Sequence, residues 1–214
     1  MAVAIRAAMR TVAVFVVVFI VGAVLMGFEM LGSRYLYPYF GGGIATWAGL
    51  ISTVLYALAI GYFTGGAIAD RYPSLIAVII SIGGAAIYLL CIPACADVVM
   101  QGILSAYGYG AGAILLASGV LLAVPVCLMG MLSPAAIRLL IVEAKGAGRI
   151  AGAIYGVSAI GNVCGVLFTT FTLIPTMGSR AITYCFAVTL FFCGMLLLAT
   201  HRAHVGATKR RDGA

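Results

Sequence analysis

Six runs of nearly unbroken apolar sequence, at residues 11–31, 46–69, 74–96, 109–132, 150–175 and 181–200, dominate this chain of 214 residues. Each has roughly the 20 residues that an α-helix needs to cross a hydrocarbon layer. Inside lipid the backbone finds no water, so a spanning segment must satisfy its own N–H and C=O groups, as a helix does. Charge is correspondingly scarce. Lys, Arg, Asp and Glu make up 8% of the chain, against about a quarter in a soluble domain. So little charge could not keep the surface of a globule wet, which excludes a soluble enzyme, a disordered tail and a nucleic-acid reader. The pattern predicts an all-α, polytopic membrane protein with six transmembrane helices, followed by a basic tail at residues 201–214. Basic residues precede the first run, as in a signal peptide. That run is long, however, and no small-x-small cleavage site leads into polar sequence, so the expectation is an uncleaved first span.

The basic residues predict an orientation. Arg6, Arg10, Arg71, Arg138, Lys145, Arg149, Arg202, Lys209, Arg210 and Arg211 fall on one side of the alternating spans, and only Arg34 and Arg180 on the other. The positive-inside rule then places both termini in the cytoplasm, in a bacterial-type inner (plasma) membrane. The basic excess reads as topology and contact with anionic lipid rather than nucleic-acid binding. Tyr35, Tyr37, Tyr39, Phe40 and Trp47 suit an interfacial aromatic belt after the first span. The segment 133–143, SPAAIRLLIVE, reads as a cytoplasmic-surface helix with Ser133 as N-cap and Pro134 in its first turn.

Few residues could carry chemistry. Cys91, Cys95, Cys127, Cys164, Cys185 and Cys193 lie in or beside apolar runs, where cysteine behaves as a small hydrophobe rather than a zinc or disulfide framework. His201 and His204 lack the further ligands of a metal site. No metal or other cofactor is expected. Glu29 stands near the end of the first run. An acidic group deep in a span costs about 2.5–3.5 kcal/mol on insertion scales. Two readings follow: a proton- or cation-binding carboxylate, or an interfacial anchor paired to Arg34. In the fifth run Tyr155, Ser158, Asn162, Gly165 and Thr169 recur at helical spacing, and Gly161 and Gly165 form a G-x-x-x-G. This stripe is either helix–helix glue or the polar wall of a substrate cavity. In the second run Thr53, Ala57, Gly61, Gly65 and Ala69 recur at every fourth position, a packing face for close helix approach. It leads into Asp70-Arg71, closed by Tyr72-Pro73, either a static turn or a conformational latch. Leu25-Met26-Gly27 and Leu128-Met129-Gly130 suggest two inverted halves of three spans each, a common transporter plan.

The run from Glu29 through Arg34 to Gly41, the segment from Gly61 through Gly65 to Asp70-Arg71, and Tyr155 through Asn162 to Gly165, followed by Leu173-Ile174-Pro175 and Gly178, resemble the membrane domain of spermidine synthase-like proteins. The Asp-Arg turn also resembles the cytoplasmic loop motif of major facilitator transporters, whose halves are bundles of this size. The resemblance implies a cytosolic aminopropyltransferase-like partner. The nucleoside-binding glycine loop and catalytic aspartates of that enzyme have no counterpart here, so the expected chain is not itself an enzyme. Three roles stay open: a module that anchors or gates a cytosolic partner or moves a small cationic or amphipathic solute; a half-size transporter acting as a homodimer; or a structural subunit of a membrane complex.

Overall fold

The computed structural model describes the backbone of residues 2–72, 74–141 and 146–212, and the side chains of residues 8–72, 74–141 and 146–201. Pro73, Glu143 and Lys145 lie outside the described residues, and the side chains of Arg6, Arg202, His204, Lys209, Arg210 and Arg211 outside the described side chains. Six helices follow one another: α1 (Ala2–Phe40), α2 (Ile44–Arg71), α3 (Leu75–Tyr107), α4 (Ala111–Leu140), α5 (Ala147–Thr176) and α6 (Ser179–Asp212). All six are long and apolar enough to cross a membrane, and no strand occurs among the described residues. The chain is an all-α, polytopic membrane protein.

Helix α1 is the axis of the bundle. Val14, Val17, Val21, Val24, Phe28, Leu31 and Tyr35 recur at three- and four-residue intervals and are all buried, the spacing that keeps one helix face inward. The most extensive pairings are α1 with α5, α2 with α4, and α3 with α6, so no helix has a sequence neighbour as its main partner. Two of these pairings rest on glycine. A Cβ on Gly61 would collide with the carbonyl oxygen of Cys127, and one on Gly65 would lie 2.6 Å from the Cα of Met131. Likewise, a Cβ on Gly161 or Gly165 would collide with the carbonyl oxygen of Phe19 or Ala23. Only glycine lets two helix backbones approach this closely.

The two sets of contacts are one motif used twice. Leu58 and Gly61 of α2 correspond to Ser158 and Gly161 of α5, a shift of 100 residues. Phe19, Gly22 and Ala23 of α1 correspond to Cys127, Gly130 and Met131 of α4, a shift of 108. Because the copies are three positions apart in the order of spans, with two spans between them, α4 runs opposite to α1, as inverted halves require. The register differs from the expected one: Gly130 answers Gly22, not Gly27. A Leu-Met-Gly triplet is a weak marker in apolar sequence, whereas close backbone approach pins the glycines.

Two prolines shape the helices that carry them. Pro125 and Pro175 lack an N–H, and their rings would strike the carbonyls of Leu121 and Phe171, one turn back. Those carbonyls sit in wide π-helical turns, Gly119–Ala123 and Thr169–Leu173, which open the helix ahead of each proline. The hydroxyl of Tyr88 donates to the carbonyl of Val120 in the first of these turns.

Several helix limits depart from the apolar runs. Helix α1 continues through the tyrosine-rich segment to Phe40 and stops at Gly41, whose φ of +70° ends the helix as glycine readily does. Helix α3 likewise includes Asp97 and runs to Gly108, with φ of +67°. The segment after Met131 is no separate surface helix. It prolongs α4 with Leu132, Ser133, Ala135 and Ala136 buried, and Ser133 makes no N-cap bond. Apolar packing against α2 overrides the capping signal. A side-chain cap does form at Ser74, whose hydroxyl accepts from the N–H of Ile76 at 3.2 Å.

Candidate functional site

Polar contacts gather at the two ends of the bundle. At the basal end, where α1 begins and α2 and α4 finish, Arg10 donates to the Leu139 carbonyl, and Arg138 Nε meets Asp70 Oδ1 at 3.0 Å. Asp70 therefore ties α2 to α4 instead of accepting from its own turn. Arg71 lies over the ring of Tyr72, 5.7 Å from its centre. At the distal end Arg180 pairs with Asp97, Tyr39 donates to the same carboxylate at 3.3 Å, and the Tyr35 and Thr183 hydroxyls share a hydrogen bond at 2.9 Å.

Between these ends Glu29 is on its own. It is 7% exposed and makes no ion pair or hydrogen bond among the described residues. The expected partner, Arg34, is exposed and turned away. Residues five apart on a helix point about 140° apart, so the two cannot meet. Phe40 ends the helix about 16 Å beyond Glu29 at 1.5 Å per residue, so the carboxylate lies within α1 rather than at its last turn. The face of α1 that carries it is shared by Leu25 and Gly32. Gly32 packs against Leu50 of α2 and Leu122 of α4, and Leu25 lines a cleft one turn away.

That cleft, about 20 Å³, opens between α1, α2, α4 and α5. It has room for about one water. Ser158 and Asn162 line it from α5, Tyr62 from α2 and Ser133 from α4. With its amide oriented to suit its neighbours, Asn162 donates to the Gly22 carbonyl at 2.9 Å and the Ser158 carbonyl at 3.3 Å. Asn162 thus bridges α5 to α1 and borders the cleft at once. Tyr155 lies outside the α1 contact, and its ring meets Tyr62 edge-on at 6.4 Å, linking α5 to α2 beside the cleft. Gly61, Gly65, Gly161 and Gly165 are all buried in the helix contacts described above.

The sequence-predicted residues therefore divide into groups. Ser158 and Asn162 share the cleft, Tyr155 flanks it, Glu29 lies one turn along α1, and Arg34, Asp70 and Arg71 stand apart at the bundle ends. Sequence reasoning missed Tyr62 and Ser133. Tyr62 adjoins Gly61 on the packing face of α2, a signal for a ring at a helix contact. Ser133 was absorbed by its capping pattern. The Asp97–Arg180 pair was hidden because both residues read as loop. All six cysteines are free. Comparisons of the chain with known protein families, curated proteins and solved structures find no match.

Proposed function

We propose that this chain is a transport module that binds a small cation, a proton or a protonated amine, at Glu29. The observation that carries the reading is the isolation of that carboxylate. Asp70 and Asp97 each hold an arginine at a bundle end, whereas Glu29 is buried among apolar helices without a cation among the described residues. A carboxylate inside a membrane is costly to keep and commonly marks an ion or proton path. A cation supplied by the solute would complete the missing pair. The cleft beside it is too small for an amine, so the path for a larger solute requires a second surface. A second copy facing α2, α4 and α5 supplies it, making the chain half of a homodimeric transporter. The resemblance to spermidine synthase-like membrane domains favours a polyamine as the solute. It also favours an aminopropyltransferase-like soluble protein as a partner at the basal end, whose basic residues favour a cytoplasmic position.

The test is uptake and binding of labelled spermidine by the purified protein in liposomes, with and without a proton gradient. Glu29→Gln keeps the shape and removes the charge. It is expected to fold and insert normally and to lose spermidine binding and proton-coupled uptake together. A Gln variant that binds and transports as the wild type does, at all pH values, would reduce Glu29 to a packing residue.

A further inference from the structure

The distal end of the bundle holds an open cavity of about 580 Å³ between the last turns of α1 and the first turns of α2 and α6. This volume is within the range of small-molecule sites. Ser33, Arg34 and Tyr37 line it from α1, Thr46 and Trp47 from α2, and Ser179 from α6. No carboxylate lines it, and the nearby Asp97 is engaged by Arg180 and Tyr39. Arg34 faces the cavity with no ion pair or hydrogen bond among the described residues, unlike Arg10, Arg138 and Arg180. The hydroxyls of Ser33 and Thr46 are spent on the carbonyls of Met30 and Phe40, so neither offers its proton. The first turn of α2 has no side-chain cap, which adds the positive end of a helix dipole to the field of Arg34. The cavity thus presents the guanidinium of Arg34 in a field of positive potential, with aromatic rings at its rim.

We propose that this cavity binds a phosphate group through Arg34. A guanidinium matches phosphate with paired N–H donors, and Tyr37 and Trp47 offer apolar surface to whatever carries the phosphate. The carrier is either the headgroup of an anionic phospholipid or a free phosphate ester; the recognised chemistry is the same. The site is separate from Glu29, which does not line it.

Trp47 is the chain's one tryptophan, so fluorescence excited at the red edge, where tyrosine does not absorb, reports on this cavity alone. Delipidated protein in detergent is titrated with phosphatidic acid carrying brominated acyl chains, and with brominated diacylglycerol, which lacks the phosphate. Quenching of Trp47 is expected to saturate at about ten-fold lower phosphatidic acid than diacylglycerol, the ordinary weight of one charged hydrogen-bonded contact. Arg34→Gln should erase the preference and Arg34→Lys, which keeps the charge but not the paired donors, retain only part of it, with helical content unchanged in both. Glycerol 3-phosphate is then added as competitor. Full reversal of quenching identifies a site that accepts a free phosphate ester, and no reversal identifies a lipid headgroup site; both support the proposal. Equal quenching by the two lipids, or a preference undiminished in Arg34→Gln, overturns it.

Discussion

The contact between α1 and α5 rests on a narrow strip, and a single methyl group should pry it open. Helix α5 buries only Ile154, Gly161, Gly165 and Thr169 among its described residues. In Gly165→Ala the new Cβ would collide with the Ala23 carbonyl oxygen and lie 2.6 Å from the Ala23 Cα, where ordinary contact begins at 3.4 Å. The obstruction is backbone, not a flexible side chain, so the helices must part by about 1 Å. Radial gaps of that size forfeit a quarter to a half of each dispersion contact along the strip. The same movement stretches the Asn162 bond to the Gly22 carbonyl from 2.9 Å to beyond hydrogen-bond range. Overpacking of this kind costs about 1–3 kcal/mol. Gly156 lies on the same helix with nothing within 4 Å of an added Cβ. Gly156→Ala should therefore be neutral, or stabilising by up to about 1 kcal/mol through helix propensity. Equilibrium unfolding in mixed micelles of mild detergent and dodecyl sulfate, followed by circular dichroism, measures both. If Gly165→Ala unfolds at the same point as Gly156→Ala, the backbone contact between α1 and α5 is refuted.

Further expectations follow from other contacts. Asn162→Leu removes the bond to α1 and should destabilise the bundle by about 0.6–1.7 kcal/mol, as interhelical hydrogen bonds in membranes do; an unchanged unfolding curve would place the amide outside the interface. Tyr88→Phe strips the Val120 carbonyl of its donor in the widened turn of α4 and should cost about 1 kcal/mol in the same assay. Asp70→Asn breaks the exposed pair with Arg138 and should cost no more than about 1 kcal/mol, less in high salt. In a cysteine-free background, cysteines at Ala147 and Ala207 should resist impermeant thiol reagents in intact cells while one at Gly42 reacts. Labelling at Ala207 from outside would overturn the orientation read from the basic residues.

The glycines of α2 and α5 were legible as packing faces because a four-residue spacing of small side chains has few other uses in lipid. Their partners were not legible. Nothing in the apolar stretches of α1 and α4 marks Phe19, Ala23, Cys127 and Met131, whose part in the contact is played by backbone carbonyls and not by side chains. The end of α1 was placed too early for a related reason. Hydropathy falls where tyrosines, serine and arginine enter, yet the helix persists to Phe40, where Tyr35 and Tyr39 still bond to α6 and α3. Arg34 looked like a mate for Glu29 by proximity in sequence, and helical geometry separates them. Asn162 was the most readable polar residue. An amide in a membrane helix must find an acceptor on a neighbour, and it does.

The interleaved pairing of the helices has a consequence for how the chain is made. Spans enter the membrane in order, so α1 arrives first, and its chief partner α5 only after three more have followed. During that interval the glycine face of α1 and the carboxylate of Glu29 are open to lipid or to whatever attends the growing chain. No early helical hairpin is a finished unit, since α2 awaits α4 and α3 awaits α6. Assembly must therefore be a late, concerted closure of spans already inserted. By the same logic, the chain divided in the turn after α3 gives two pieces that each lack all three of the principal helix pairings. Produced together in one membrane, they should knit into the complete bundle; produced singly, neither should escape quality-control proteases.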